Sequence, residues 1–92
     1  MQKPLFIFGG IMNNYIRAKF NLNTQADAIK FVQMMCKTEH RFLIEDRNAE
    51  QRVDAKSMLG VIYAMSCFGG ELYLVNETKS GAFPAGINDF RN

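Results

Sequence analysis

"VDAKSMLGVIYAMSCFGGELYLV", residues 53–75, is the stretch that decides the fold of this chain. It opens in extended structure, and Ser57 then stands directly before an apolar run, the position where a serine hydroxyl caps a helix by accepting an unpaired backbone N–H. Met58, Leu59, Ile62 and Met65 recur at helical spacing on one side of that run. Gly60 within it costs on the order of 1 kcal/mol against alanine, so the helix is expected to be short. "CFGG" breaks it, and "ELYLVNE" follows as a strand.

Working outward, "HRFLIEDR" reads as a strand by its central apolar run. "NAEQ" supplies a polar turn, and "RVDA" resumes extended structure to complete a hairpin. Further upstream, "NTQADAIKFVQMMCKT" places Ala28, Phe31, Val32 and Met35 at helical spacing. Thr24 or Asn23 suits its N-cap, and Asp27 suits the positive end of the helix. "YIRAKFNL" has period two, with Ile16, Ala18 and Phe20 opposite Tyr15, Arg17 and Lys19. The order is β-α-β-β-α-β, which an antiparallel sheet with two helices on one face satisfies. The fold class expected is α+β, an open-faced sandwich of four strands.

Ninety-two residues support one compact core. The expected layout is a single domain with its core over residues 15–75, an N-terminal extension over 1–14 and an irregular tail over 76–92. Hydrophobic residues at 48% and charged residues at 22% exclude a disordered composition. A net charge of +2, with eleven Lys and Arg scattered along the chain, gives no basic run for nucleic acid. Cys36 and Cys67 each fall in an apolar helical stretch, where thiols are usually buried. A single His and no Cys/His cluster exclude a zinc site. The apolar run "PLFIFGGIM" is shorter than the roughly 20 residues a bilayer span needs, and no A-x-A-like site follows it. It reads as neither signal nor anchor, and Met12 is an alternative start. The expected location is the cytoplasm.

From about Tyr15 to Val75 the chain resembles HPr, the small phosphocarrier of the bacterial sugar phosphotransferase system. Ala55-Lys56-Ser57 followed by a short apolar helix, a Gly turn and a strand is similar to the family's regulatory region. "DAIKFVQMM" is similar to its first helix, which commonly reads Ala-Ala-x-Phe-Val. The family's carrier chemistry uses a His at the N-terminus of that helix, with an Arg and a Pro following. Aligning Phe31-Val32 with the family's Phe-Val puts Thr24 at the His position, Ala26 at the Arg position and Asp27 at the Pro position. A phosphothreonine ester is a poor phosphoryl donor, and Asp27 would repel an incoming phosphate. His40, at a helix-to-strand turn, does not match the pattern.

Ser57 is the family position that remains. In HPr of low-GC Gram-positive bacteria the matching Ser is phosphorylated by an ATP-dependent kinase, and the product is the corepressor of a LacI-type regulator. The catabolite-repression HPr-like proteins keep this Ser and lack the active His, and this chain shares that combination. The resemblance implies a non-catalytic regulatory protein with Ser57 as phosphorylation site. It implies a docking patch of Lys56, Met58, Leu59 and Ile62, a regulator or kinase as protein partner, and neither cofactor nor metal. The residues by themselves allow a plain helix cap at Ser57 and core packing for at least two of Met58, Leu59 and Ile62. A small binding or structural domain, either a decayed paralogue or a weak nucleic-acid binder using Arg17, Lys19, Arg41 and Arg52, stands as the alternative. No GxGxxG, P-loop, paired carboxylates or nucleophile–base pair argues for an enzyme.

The family ends with a third, longer helix over the sheet. Here "NETKSGAFPAGINDFRN", with Gly81, Pro84 and Gly86 within six positions, holds no helix longer than a turn or two. The apolar surface so exposed exceeds what a monomer usually shows. Its expected cover is the tail residues Phe83, Pro84, Ile87 and Phe90 with the N-terminal run, or else a second copy of the chain.

Overall fold

The computed structural model of the chain describes residues 16–78 and 81–91. Tyr15, the N-terminal run and the alternative start at Met12 lie outside the described residues. The elements in chain order are β1 (Arg17–Phe20), α1 (Gln25–Cys36), β2 (Phe42–Glu45), β3 (Arg52–Asp54), α2 (Met58–Cys67), β4 (Leu72–Asn76) and a 3-10 helix (Ala85–Phe90). The four strands form one sheet in the order β1-β4-β2-β3, every neighbouring pair antiparallel. The fold is an α+β open-faced sandwich of four strands and two main helices, as the alternation of periods predicts.

Local chemistry sets each boundary. Thr24 caps α1: its Oγ1 accepts from Asp27 N (3.0 Å), and Asp27 Oδ2 accepts in return from Thr24 N (3.2 Å) and Asn23 N (3.0 Å). This reciprocal capping box satisfies donors that a helix start otherwise leaves open. In the β2–β3 turn, Ala49 takes a left-handed φ of 59° while Asp46 Oδ1 accepts from Glu50 N (2.8 Å) and Gln51 N (3.3 Å). Gly69 and Gly70, with φ of 69° and 82°, make the turn between α2 and β4 at no side-chain cost.

One face of the sheet carries Ala18, Phe20, Phe42, Ile44, Leu72 and Leu74 into the core, against Ala28, Phe31 and Met35 of α1 and Val61 and Ala64 of α2. Phe31 is fully buried, stacked on Phe20 with centroids 4.8 Å apart and an 8° interplanar angle. The tail closes this core. Phe90 meets Phe31 edge-on at 5.6 Å, Phe83 tilts against Phe42 at 6.2 Å, and Ile87 is buried. Asn21 N donates to Phe90 O (2.7 Å), and the buried Asn76 donates from Nδ2 to Ala82 O (2.9 Å). A 3-10 helix of six residues therefore stands where a longer third helix was missing, and Phe83, Ile87 and Phe90 of the tail cover the core as expected.

The opposite sheet face carries Val75 and Leu43 beside a polar, ion-paired cluster. Register sets Lys19, Tyr73, Glu45 and Arg52 side by side across the four strands. Glu45, only 2% exposed, lies 3.3 Å from Arg17 Nε and 3.3 Å from the Arg52 guanidinium. The Arg17 guanidinium also sits 4.0 Å over the Tyr73 ring and donates to Asp46 O. Its Nε–H, though close to Glu45, is not aligned to donate.

Three expectations are corrected. Cys36 and Cys67 are exposed rather than buried, because each is the last residue of its helix and points away from the sheet-facing stripe. The core side of α2 is Val61 and Ala64, with Met58 and Met65 partly buried at its flanks. Leu59 is 82% exposed and Ile62 38%, so core packing holds for one of Met58, Leu59 and Ile62, not two. Finally, Ile16 is half-exposed and precedes β1, which starts at Arg17.

Truncating Ile87 to Ala is expected to cost about 2–5 kcal/mol, as buried Ile deletions do. Asn88→Ala, one residue on and exposed, should stay within about 0.5 kcal/mol. Urea denaturation measures both, and equal near-zero effects would contradict a tail packed into the core.

Candidate functional site

The site is the junction of β3 and α2. Ser57 has extended backbone (φ −97°, ψ 118°), and its Oγ accepts from Gly60 N at 3.1 Å, the cap that its position before the apolar run predicts. Its own N–H donates to Asp54 O (3.1 Å), and Asp54 Oδ1 accepts from Lys56 N (2.9 Å), so the turn into the helix is held on both sides. Gly60 lets the first turn of α2 lie on β3. A Cβ there would stand 3.2 Å from Val53 Cβ and 3.3 Å from Asp54 O, closer than ordinary packing. The glycine that shortens the helix in propensity terms is what seats Ser57 beside the sheet.

Lys56, next to Ser57, has a partner of its own. Its Nζ donates to Thr38 O (2.8 Å), tying the start of α2 to the turn after α1. Cys36 Sγ contacts Lys56 O at 3.9 Å in the same corner. Lys56 thus gives one of its three ammonium hydrogens to a carbonyl. Of the docking candidates, Met58 leans into the core while Leu59 and Ile62 stand outward. Ile62 borders a shallow cavity of about 290 Å³ with Gln25, Met65 and Ser66.

The first helix holds the other matched positions, and they are arranged differently. Thr24 spends its hydroxyl on the capping box and Ala26 is exposed, so neither offers an imidazole or guanidinium. Asp27 sets its carboxylate at the helix start, on the N–H groups of Asn23 and Thr24, where it would repel an anion. Those N–H bonds, first from Asn23 and then from Thr24, hold its carboxyl below the usual range against a smaller opposing effect of desolvation. A cavity of about 600 Å³ opens beside it, lined among others by Asn21, Asn23, Lys30 and Asp89. The amino-acid sequence offered no signal for this cavity, because its far wall is the tail, whose docking rests on tertiary contacts. His40 is exposed at the turn before β2, its ring 6.4 Å from Phe42, remote in sequence from either helix start.

The basic residues weighed for nucleic acid are largely spoken for. Arg17 and Arg52 pair with Glu45, and Arg41 lies 3.5 Å from Glu77. Among the described residues, no group of three or more His, Cys, Asp or Glu is placed to hold a metal, and no helix is long and apolar enough to cross a membrane. No protein-family model, curated protein or solved structure matches the chain.

Ser57→Ala should cost about 1 kcal/mol through loss of the cap, and Ser57→Gly only a few tenths; guanidinium denaturation separates the two. Acid should act through Asp27 and Asp46. Desolvation opposes ionisation of Asp46, but the N–H groups of Glu50 and Gln51 prevail and lower its pKa. A carboxyl lowered in the folded state gives stability that is full above its unfolded value, about 3.9, and lost as pH falls through the folded value. Denaturation midpoints of the parent are therefore expected to fall below about pH 4, and Asp27→Asn should flatten that fall.

Proposed function

We propose that this chain is a non-catalytic regulatory protein of HPr-like architecture, whose control point is Ser57 and whose partner surface begins at Leu59 and Ile62. The observation that carries the reading is the pairing of a capped, half-buried Ser57 with two large apolar residues left outward in the next turns of the same helix. A phosphate on the Ser57 oxygen would lie at the positive end of α2, where backbone N–H groups favour negative charge. Its oxygens would compete for the Gly60 N–H, so modification exchanges one cap for a stronger one and adds charge beside the docking patch.

Phosphohistidine transfer is outside this reading. Thr24, Ala26 and Asp27 leave no imidazole, no guanidinium and a carboxylate already in the anion's place. The partners proposed are a kinase of the HPr type and a regulator that reads the modified helix; cofactors and metals have no part in it. A second reading, a plain binding domain in which Ser57 is only a cap, is favoured by one contact: the hydroxyl oxygen already accepts from Gly60 N, which is all a cap requires.

Incubation with ATP and an HPr-type kinase, followed by mass spectrometry, decides between them. The expected result is one phosphate on Ser57 and none on Ser57→Ala. An unmodified chain under conditions that phosphorylate HPr itself would leave the plain binding domain. Treatment with phosphoenolpyruvate and Enzyme I should give no acid-labile label, whereas a labelled chain would overturn the non-carrier assignment.

A further inference from the structure

Met34, in the last turn of α1, is half-buried against the core, and its sulfur rests on the tail at Gly86. A Cβ built on Gly86 would stand 2.5 Å from Met34 Sδ, so the thioether lies on bare backbone with no space for another atom between them. The contact is not sealed. Met34 and Gly86 both line the cavity of about 600 Å³ beside Asp27, Lys30 and Asp89, and that opening gives a small oxidant a path to the sulfur. Of the other described methionines, Met35 is fully buried, and Met58 and Met65 belong to α2. Among the described residues, Met34 is thus the methionine that borders the tail cavity. The far end of the tail is tied back where Asn21 N donates to Phe90 O at 2.7 Å.

We propose that Met34 is an oxidation site, and that its sulfoxide loosens the tail from α1. Hydrogen peroxide transfers an oxygen atom to the thioether. The sulfur lone pair attacks, an S–O bond forms, the peroxide O–O bond breaks and water leaves. Sulfur is oxidised as the peroxide is reduced. The product replaces a soft apolar group with a larger, polar one. Its oxygen either enters the contact with Gly86, where no space exists, or turns the thioether out into the cavity. Both outcomes remove the contact that Met34 makes with the tail. Methionine sulfoxide reductases reverse this chemistry, so the loosened state is recoverable. The proposal stands apart from the phosphorylation of Ser57.

Amide hydrogen exchange at Asn21 tests it, with peptide mass spectrometry to locate the added oxygen. The Asn21 N–H is bonded to the Phe90 carbonyl, so its exchange reports whether the tail is docked. Peroxide treatment of the full chain should add oxygen at Met34 and speed that exchange at least about fivefold. Amides of the central strand β4 should stay slow, which separates tail opening from unfolding. Met34→Leu keeps the volume without the sulfur, and peroxide should leave its Asn21 exchange unchanged although its other methionines remain. Met34→Gln, polar and of similar length, should exchange fast at Asn21 with no peroxide. Oxygen on Met34 with unaltered exchange at Asn21 would overturn the proposal, as would the same acceleration in Met34→Leu. So would a Met34 that stays unoxidised while Met58 or Met65 takes up oxygen.

Discussion

The stack of Phe31 on Phe20, with Phe90 set edge-on against Phe31, is the joint on which the rest of the structure depends. It ties the first strand, the first helix and the tail through three side chains from distant parts of the sequence. Aromatic pairs of this geometry add about 0.5–1.5 kcal/mol each to the area they bury. With α1 held there, α2 finds its place along α1 and over β2 and β3. The turn at Asp54–Ser57 then has one geometry, and Ser57 one role as cap. The 3-10 helix can be as short as six residues because its work is concentrated in Ile87, Phe90 and the hydrogen bond from Asn21, while Asn76 holds the approach to it at Ala82.

Much of this was legible in the sequence because the signals were local. Period two in "RAKF", period 3.6 in "ADAIKFVQMM" and the Gly pair after Cys67 each name an element from its own residues. The capping box at Thr24 and Asp27 was present as Thr-x-x-Asp, a pattern that could have identified both bonds rather than one residue's preference. What escaped was tertiary. Four apolar side chains at helical spacing in α2 say nothing about which of two apolar faces meets the sheet. Val61 and Ala64 win that contest because small side chains and Gly60 let the helix lie close on β3. The exposure of both cysteines follows from where the two helices end, a matter of a residue or two that periodicity does not resolve.

The same argument bears on the site. Ser57, Leu59 and Ile62 were nameable from the chain, and the structure adds how they are held: cap, turn and glycine place the hydroxyl at the sheet edge and the two apolar side chains outward. The commitment of Lys56 to Thr38 and of Arg17 and Arg52 to Glu45 was not legible, since it depends on strand register and on the corner where α1 ends. Those pairings matter as much as the site itself. They remove most of the cations that a nucleic-acid reading would need, and they leave the neutral outer face of α2 as the prominent surface.

The account's central claim is that the remaining chemistry of this domain is concentrated at Ser57. Phosphosite mapping of the chain purified from cells that naturally express it tests that claim most directly. The account predicts a phosphate on Ser57 and none on Thr24 or His40. Phosphate on either of those residues, with Ser57 unmodified, would contradict it.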